Sequence, residues 1–145
     1  MDEALARDAF EAALATHKPE FGTFFLARLL GLDISYTAET CLVRCAVRDF
    51  MFNPQGTVHG GIIATILDIS MGHLLHHTSG AGMTLEMKTQ YIRAATGGTI
   101  TAQGRFIRQG RSINFLESRL HDEADDLLAA ATSTWRLLRR PAPVA

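Results

Sequence analysis

Between Gly60 and about His77 the chain offers a helix with no polar side. Ile62, Ile63, Ile66, Leu67, Ile69, Met71, Leu74 and Leu75 point in nearly every direction around its axis. A helix apolar all round must be buried on all sides. The run is shorter than the ~20 residues that cross a bilayer, and Asp68 interrupts it, so it is not read as a membrane span. The rest of the chain has to supply its cover.

Asp68 is the residue this environment tolerates least. A carboxylate between Leu67 and Ile69 is costly to bury unless it is paired or hydrogen-bonded. Its helical neighbours at i−4, i−3 and i+4 are Ala64, Thr65 and Gly72, all small. The sequence therefore predicts a dent in the helix with a carboxylate in it. Either Asp68 bonds Thr65 or a neighbouring strand and has no other role, or it is a perturbed acid in a cleft and does chemistry.

The stretch that leads into the helix favours chemistry. Asn53-Pro54-Gln55-Gly56 reads as a turn, since Asn-Pro and Gln-Gly are turn dipeptides and Pro54 biases Asn53 away from helical geometry. Gly60 and Gly61 then open the helix. The first N–H groups of a helix have no internal partner and carry the positive end of its dipole. Without a Cβ, a glycine there lets a foreign oxygen approach the N–H closely, as stabilising an oxyanion requires.

Taken together, Asn53-x-x-Gly56-x-x-His59-Gly60-Gly61 followed by Asp68 resembles the hotdog-fold thioesterases of the phenylacetate-degradation type. The run Lys88-Thr89-Gln90-Tyr91-Ile92-Arg93 and the strand ending Arg108-Gln109-Gly110-Arg111 are similar to that family too, and the likeness extends from about Phe21 to Arg139. It implies an acyl-CoA substrate and sites at a dimer interface.

The remaining elements fit such a fold. Residues 2–17 read as a helix, ended by Lys18-Pro19. Phe21–Leu30 is strongly apolar, either a short helix packed on the sheet or a wall of a substrate pocket. Leu32–Thr37 and Thr40–Val47 read as a hairpin around Ala38-Glu39. Met83–Tyr91 alternates, with Met83, Leu85, Met87 and Tyr91 expected on one face. Strands follow at Thr99–Arg108, Ser112–His121 and Leu127–Leu138, and these four are expected as a meander. The expected fold class is α+β, a strongly curled antiparallel sheet wrapped around one long buried helix. A curled sheet covers only part of a helix, so a second subunit is expected to complete the enclosure.

At 145 residues the chain is expected to be one domain, with Pro141–Ala145 a frayed tail. A formal charge of −1, from 14 basic and 15 acidic residues, gives no footprint for nucleic acid. Cys41 and Cys45 do not form a CxxC, and four apart on a strand they share a face; a reduced, cytoplasmic setting is expected. No secretory signal is read at the N-terminus. His73 and His77, four apart with His76 beside them, have metal-ligand spacing, but no third ligand is placed by sequence, and neither metal nor cofactor is expected.

The resemblance and the chemistry assign roles. The Gly60 amide would hold the thioester oxyanion, with Asn53 assisting and Gly61 beside it at the helix start. Asp68 would act on the carbonyl carbon, as general base or as nucleophile. By the resemblance, Thr84 would orient the water or Asp68. His59 would brace the turn or bond near the thioester. Arg93, Arg105, Arg108 and Arg111 lie at strand ends and turns and would meet the phosphates of coenzyme A. Gly60 and Asp68 are eight residues apart, ~12 Å along one helix, so one thioester cannot reach both. A homodimer with antiparallel helices and shared sites, assembled as a dimer of dimers, is expected. A hotdog hydratase or dehydratase and a non-catalytic acyl-CoA binder are the alternatives.

Overall fold

The computed structural model describes residues 1–138; the expected frayed tail, Pro141–Ala145, lies outside them. The chain runs α1 (Glu3–Thr16), α2 (Phe25–Leu29), β1 (Asp33–Tyr36), β2 (Thr40–Ala46), a single 3₁₀ turn (Asp49–Met51), α3 (Gly60–Ser79), β3 (Gly82–Tyr91), β4 (Thr99–Arg108), β5 (Ile113–His121) and β6 (Leu127–Leu137). The elements form within about two residues of their expected ends, except that the helix expected in Phe21–Leu30 begins only at Phe25. The 3₁₀ turn is the addition.

All six strands join one antiparallel sheet that curls around α3, the hotdog arrangement. The helix packs against β2, β3, β4, β5 and β6. Ile66, Leu67, Ser70, Met71, Leu74 and Leu75 are fully or almost fully enclosed, together with Val43, Ile100, Leu116 and Leu120 from the strands. Contact is so close that a Cβ on Gly104 of β4 would lie 2.6 Å from the Ser70 carbonyl oxygen. Cys41 and Cys45 flank Val43 on the inward face of β2. Burial pushes their thiols up to about 12 and about 11, so both are inert core groups.

The cover is incomplete along one stripe. Gly61, Thr65, Asp68, Gly72 and His76 succeed each other on one helix face, and all are exposed or half-buried. This is the dent of small residues around Asp68.

The four-strand meander is wrong in one respect. β4, β5 and β6 are consecutive neighbours, but the sheet order is β1-β2-β4-β5-β6-β3, so β3 closes the far edge against β6. The segment 92–98 is a crossover rather than a hairpin turn. Starting from the end of a helix that lies across the sheet, β3 docks at the far edge, and the chain must then return to the middle.

The face expected for β3 is also corrected. Gly82, Met83 and Thr84 pair with Leu137, Arg136 and Trp135, but Glu86 and Met87 pair with Thr134 and Ser133, leaving Leu85 as a bulge residue. Opposed residues share a face. Thr84, Met87 and Tyr91 therefore lie on the face of Trp135, Ser133 and Ala129, which are buried against α3, whereas Met83 takes the opposite face. A bulge inserts one residue and reverses the alternation beyond it.

Candidate active site

The turn before α3 holds itself together. The Asn53 side-chain oxygen accepts from the Gln55 N–H at 2.8 Å and the Thr57 N–H at 3.4 Å, and its amide donates to Thr57 Oγ1 at 2.9 Å. Gly56 closes the turn in the left-handed region at φ +78°, where a side chain would be strained. Val58 and His59 are then fixed by backbone bonds to Ala95 and Met51. The Asn53 amide is thus engaged within its own turn.

His59 caps the helix twice. Its Nδ1 accepts from the Gly61 N–H at 2.9 Å, which makes Nε2 the protonated nitrogen of the neutral ring. Its carbonyl accepts from the Ile62 and Ile63 N–H groups at 2.9 and 3.3 Å. Of the first four N–H groups of α3, the Gly60 N–H alone has no partner among the described residues. The Gly60 carbonyl accepts from the Tyr91 hydroxyl at 3.0 Å. The Tyr91 ring lies 3.3 Å from where a Gly60 Cβ would stand. Asn53, Gly60, Tyr91 and Arg93 line one cleft of about 300 Å³.

Asp68 and Thr84 sit elsewhere. The bulge at Leu85 turns Thr84 toward α3, and its hydroxyl donates to Asp68 Oδ1 at 3.0 Å. Thr65 turns back and donates to the Gly61 carbonyl at 2.8 Å. Burial raises the Asp68 carboxyl above the ordinary carboxylate range, and the Thr84 hydrogen bond works against that rise. Asp68 opens on a cavity of about 510 Å³ walled by Phe21, Phe24, His73, Gly72 and Trp135. The residues weighed as a helix or a pocket wall are both: α2 is the short helix, and Phe21 and Phe24 wall the cavity.

The single chain therefore divides the expected site residues. Asn53, His59, Gly60, Gly61 and Arg93 gather at the start of α3. Asp68 and Thr84 meet about two turns further on. Arg93 pairs with Asp126 at 2.7 Å and Arg105 pairs with Glu117. Arg108 ends β4, and Arg111 lines a surface cleft beyond the C-terminal end of α3 with Arg136, His76 and His77. The three helix histidines diverge: His73 is buried, His76 stacks on Phe21 with ring centroids 3.6 Å apart, and His77 stacks on Tyr36 at 4.3 Å.

Sequence alone assigns no role to Tyr91 or Trp135. Tyr91 reaches Gly60 because β3 lies at the sheet edge beside the helix start. Trp135 enters the cavity because Gly72 leaves room, a Cβ there falling 2.7 Å from its ring. Neither pairing has a local signal.

Residues 55–129 match the model of the thioesterase superfamily. The chain belongs to the thioesterase superfamily. It is a thioester hydrolase by that membership. It is 28% identical over 98 residues to the medium/long-chain acyl-CoA thioesterase YigI of Salmonella typhimurium, an overlap of 56% of this chain and 63% of that one. The chain thus spans under two thirds of that relative. The PaaI protein of the Escherichia coli phenylacetic acid degradation operon superposes with a TM-score of 0.78 over 93% of this chain and 96% of that one; at 20% identity it speaks for the fold. The Streptococcus mutans protein smu.793, solved with acetyl CoA bound, has a TM-score of 0.71 and 26% identity over 74% of this chain and 88% of that one. Among the described residues no helix is long and apolar enough to cross a membrane.

Proposed function

We propose that the chain is an acyl-CoA thioesterase whose active site is completed by a second copy of itself. The observation that carries this is the division of the machinery. A free oxyanion donor, the Gly60 N–H, opens α3, while a carboxylate beside a cavity lies two turns along it. One thioester group is too small to span the ~12 Å between them. Two α3 helices running antiparallel across a two-fold axis bring the start of one beside the middle of the other.

The long free edge supports such a pairing. β3 has ten residues, an edge unpaired among the described residues, and exposed Met83, Leu85 and Tyr91. A long apolar edge strand is a template for pairing with another chain. The uncovered stripe of α3 lies on the same side as β3.

In this reading the acyl group enters the cavity below Asp68, and the thioester oxygen points at Gly60 of the other subunit. As general base, Asp68 takes a proton from the water that attacks the carbonyl carbon; as nucleophile, it forms an anhydride that water then opens. In either case the C–S bond breaks, and the coenzyme A thiolate takes up the proton that the water loses. His59 holds the helix start and Tyr91 holds the Gly60 peptide, and Asn53 shapes the turn that aims both. Because His59 Nδ1 is committed to the Gly61 N–H, it is not free as the base a hydratase needs. Arg93 lines the cleft at Gly60, and Arg111 the surface cleft beyond the C-terminal end of α3; a guanidinium at either place is suited to phosphate. The acetyl CoA bound in smu.793 and the likeness to the acyl-CoA thioesterase YigI support the substrate class. Release of free thiol from a panel of acyl-CoAs tests the proposal; no release above the uncatalysed rate from any of them overturns it. Single turnover in ¹⁸O-labelled water tests the nucleophilic role of Asp68, since label reaches its carboxylate only through an anhydride opened at the aspartyl carbon.

A further inference from the structure

His73 is the one buried titratable side chain of α3 that this reading leaves without a task. It is 3% exposed, in the same cavity wall as Asp68. Its Nδ1 lies 3.0 Å from the Ile69 carbonyl oxygen. A carbonyl only accepts, so the proton is on Nδ1, and the neutral ring presents a bare lone pair at Nε2. That nitrogen is buried and has no hydrogen-bond partner among the described residues. Burial also lowers the basicity of the ring, against the opposing pull of the Ile69 hydrogen bond and with His76 adding to the lowering, which keeps Nε2 an acceptor. An unmet buried acceptor is costly in a folded protein and calls for a partner.

The surroundings say where that partner comes from. The ring is packed edge to face by Phe21, with centroids 5.1 Å apart, and Phe24 lies at 6.0 Å. Phe21 is itself 48% exposed, on the segment between α1 and α2, and it lines the same cavity as His73. His73 lies five residues beyond Asp68, ~7.5 Å further along the axis. A group that meets it belongs at the far end of the acyl moiety, away from the thioester carbon.

We infer that His73 Nε2 is a specificity-determining acceptor, selecting acyl groups that carry a hydroxyl at their distal end over the same groups without it. This deepens the proposed function and rests on the cavity being the acyl site. A pocket with a committed polar group rejects an isostere that leaves it unpaired.

The test uses matched thioesters on two scaffolds: 6-hydroxyhexanoyl-CoA against heptanoyl-CoA, and 4-hydroxyphenylacetyl-CoA against 4-methylphenylacetyl-CoA. Wild type should favour the hydroxylated member by about 10-fold or more in kcat/KM on at least one scaffold, the worth of one buried hydrogen bond and its lost partner. His73→Leu should abolish that preference. The Ile69 carbonyl keeps its helical N–H partner, so the substitution strands nothing. His73→Gln, which retains an acceptor, should keep part of the preference. Turnover of all four thioesters by wild type without preference, or a preference that survives in His73→Leu, overturns the His73 assignment and leaves the thioesterase reading standing. Turnover of none of the four by an enzyme that releases thiol from other acyl-CoAs overturns the His73 assignment, and release from no acyl-CoA of the wider panel overturns the reading beneath it. Should His73→Leu fail to fold, wild type decides by ¹⁵N resonance. The Nε2 signal should shift upfield with 4-hydroxyphenylacetate and not with 4-methylphenylacetate, and equal shifts defeat the inference.

Discussion

Asp68 is held in a state that works against the fold. Its carboxyl titrates above the value of about 3.9 that it has in an unfolded chain. The native state therefore binds that proton more tightly than the unfolded one, and the stability this confers is present at low pH and lost as pH rises through the native value. At neutral pH the ionised group is a cost. Asp68→Asn should lower kcat/KM by at least ~10²-fold, the low end for removing a general base, yet leave Tm at pH 7 equal or higher. A folded Asp68→Asn protein with near-normal turnover would remove Asp68 from the mechanism. The hydroxyl of Thr84 opposes the rise, so Thr84→Val should push the Asp68 carboxyl higher still. The acid limb of the pH–rate profile should then move to higher pH, and an unmoved limb would show that the 3.0 Å hydrogen bond does not persist in the working enzyme. At Gly60 a Cβ would press on the Tyr91 ring at 3.3 Å. Gly60→Val should cut kcat for every acyl-CoA by more than it cuts stability, checked by comparing kcat with Tm in one variant. Both halves of the candidate site were legible at this scale, because a carboxylate in an apolar helix and a glycine pair at a helix start each violate a local expectation. His73 and Tyr91 were not, since their meaning lies in partners that sequence spacing does not supply.

The elements were legible where their pattern is local. The long helix, the β1–β2 hairpin and the strands β4, β5 and β6 follow from hydrophobic period and turn residues. What local pattern could not give is adjacency. β3 pairs with β6 rather than β4, and nothing between Ile92 and Gly98 announces a crossover. Nor could alternation give the phase of β3, because counting every second residue assumes no bulge, and Leu85 is one. The same positions show how closely the layers fit. A Cβ on Gly104 meets the Ser70 backbone at 2.6 Å, which cannot yield without moving α3 off the sheet. A Cβ on Gly72 meets the edge of the Trp135 ring at 2.7 Å, which can tilt into the cavity. Gly104→Ala should therefore destabilise by about 1–3 kcal/mol or more, as overpacking does. Gly72→Ala should cost less stability and act mainly on KM for bulky acyl groups, because Trp135 walls the cavity. Chemical denaturation of the two variants checks the ranking, and the reverse order would mean the sheet gives way more easily than the indole.

At the scale of the whole molecule the open question is whether one chain can work alone. Gly60 and Asp68 are rigidly spaced by eight residues of unbroken helix, so no loop motion brings them together within a chain. The uncovered stripe of α3 and the free edge of β3 lie together, and a second copy would cover both while supplying the missing half-site. Mixing two inactive proteins tests this. Gly60→Val spoils the oxyanion side and Asp68→Asn the acid side, and Asn53 is left intact because its side chain holds the turn. After dissociation and random reassociation, half of the dimers contain one chain of each kind. In each mixed dimer one site receives both substitutions and the other receives neither. Half the dimers with one good site in two should restore roughly a quarter of wild-type activity. If Gly60 and Asp68 served one site from one chain, every site in the mixture would carry a defect and nothing would return. Mass spectrometry of differently tagged chains establishes that exchange has taken place. With exchange established, an inactive mixture would mean that the thioester meets its oxyanion donor and its acid in some arrangement other than antiparallel helices across a two-fold axis.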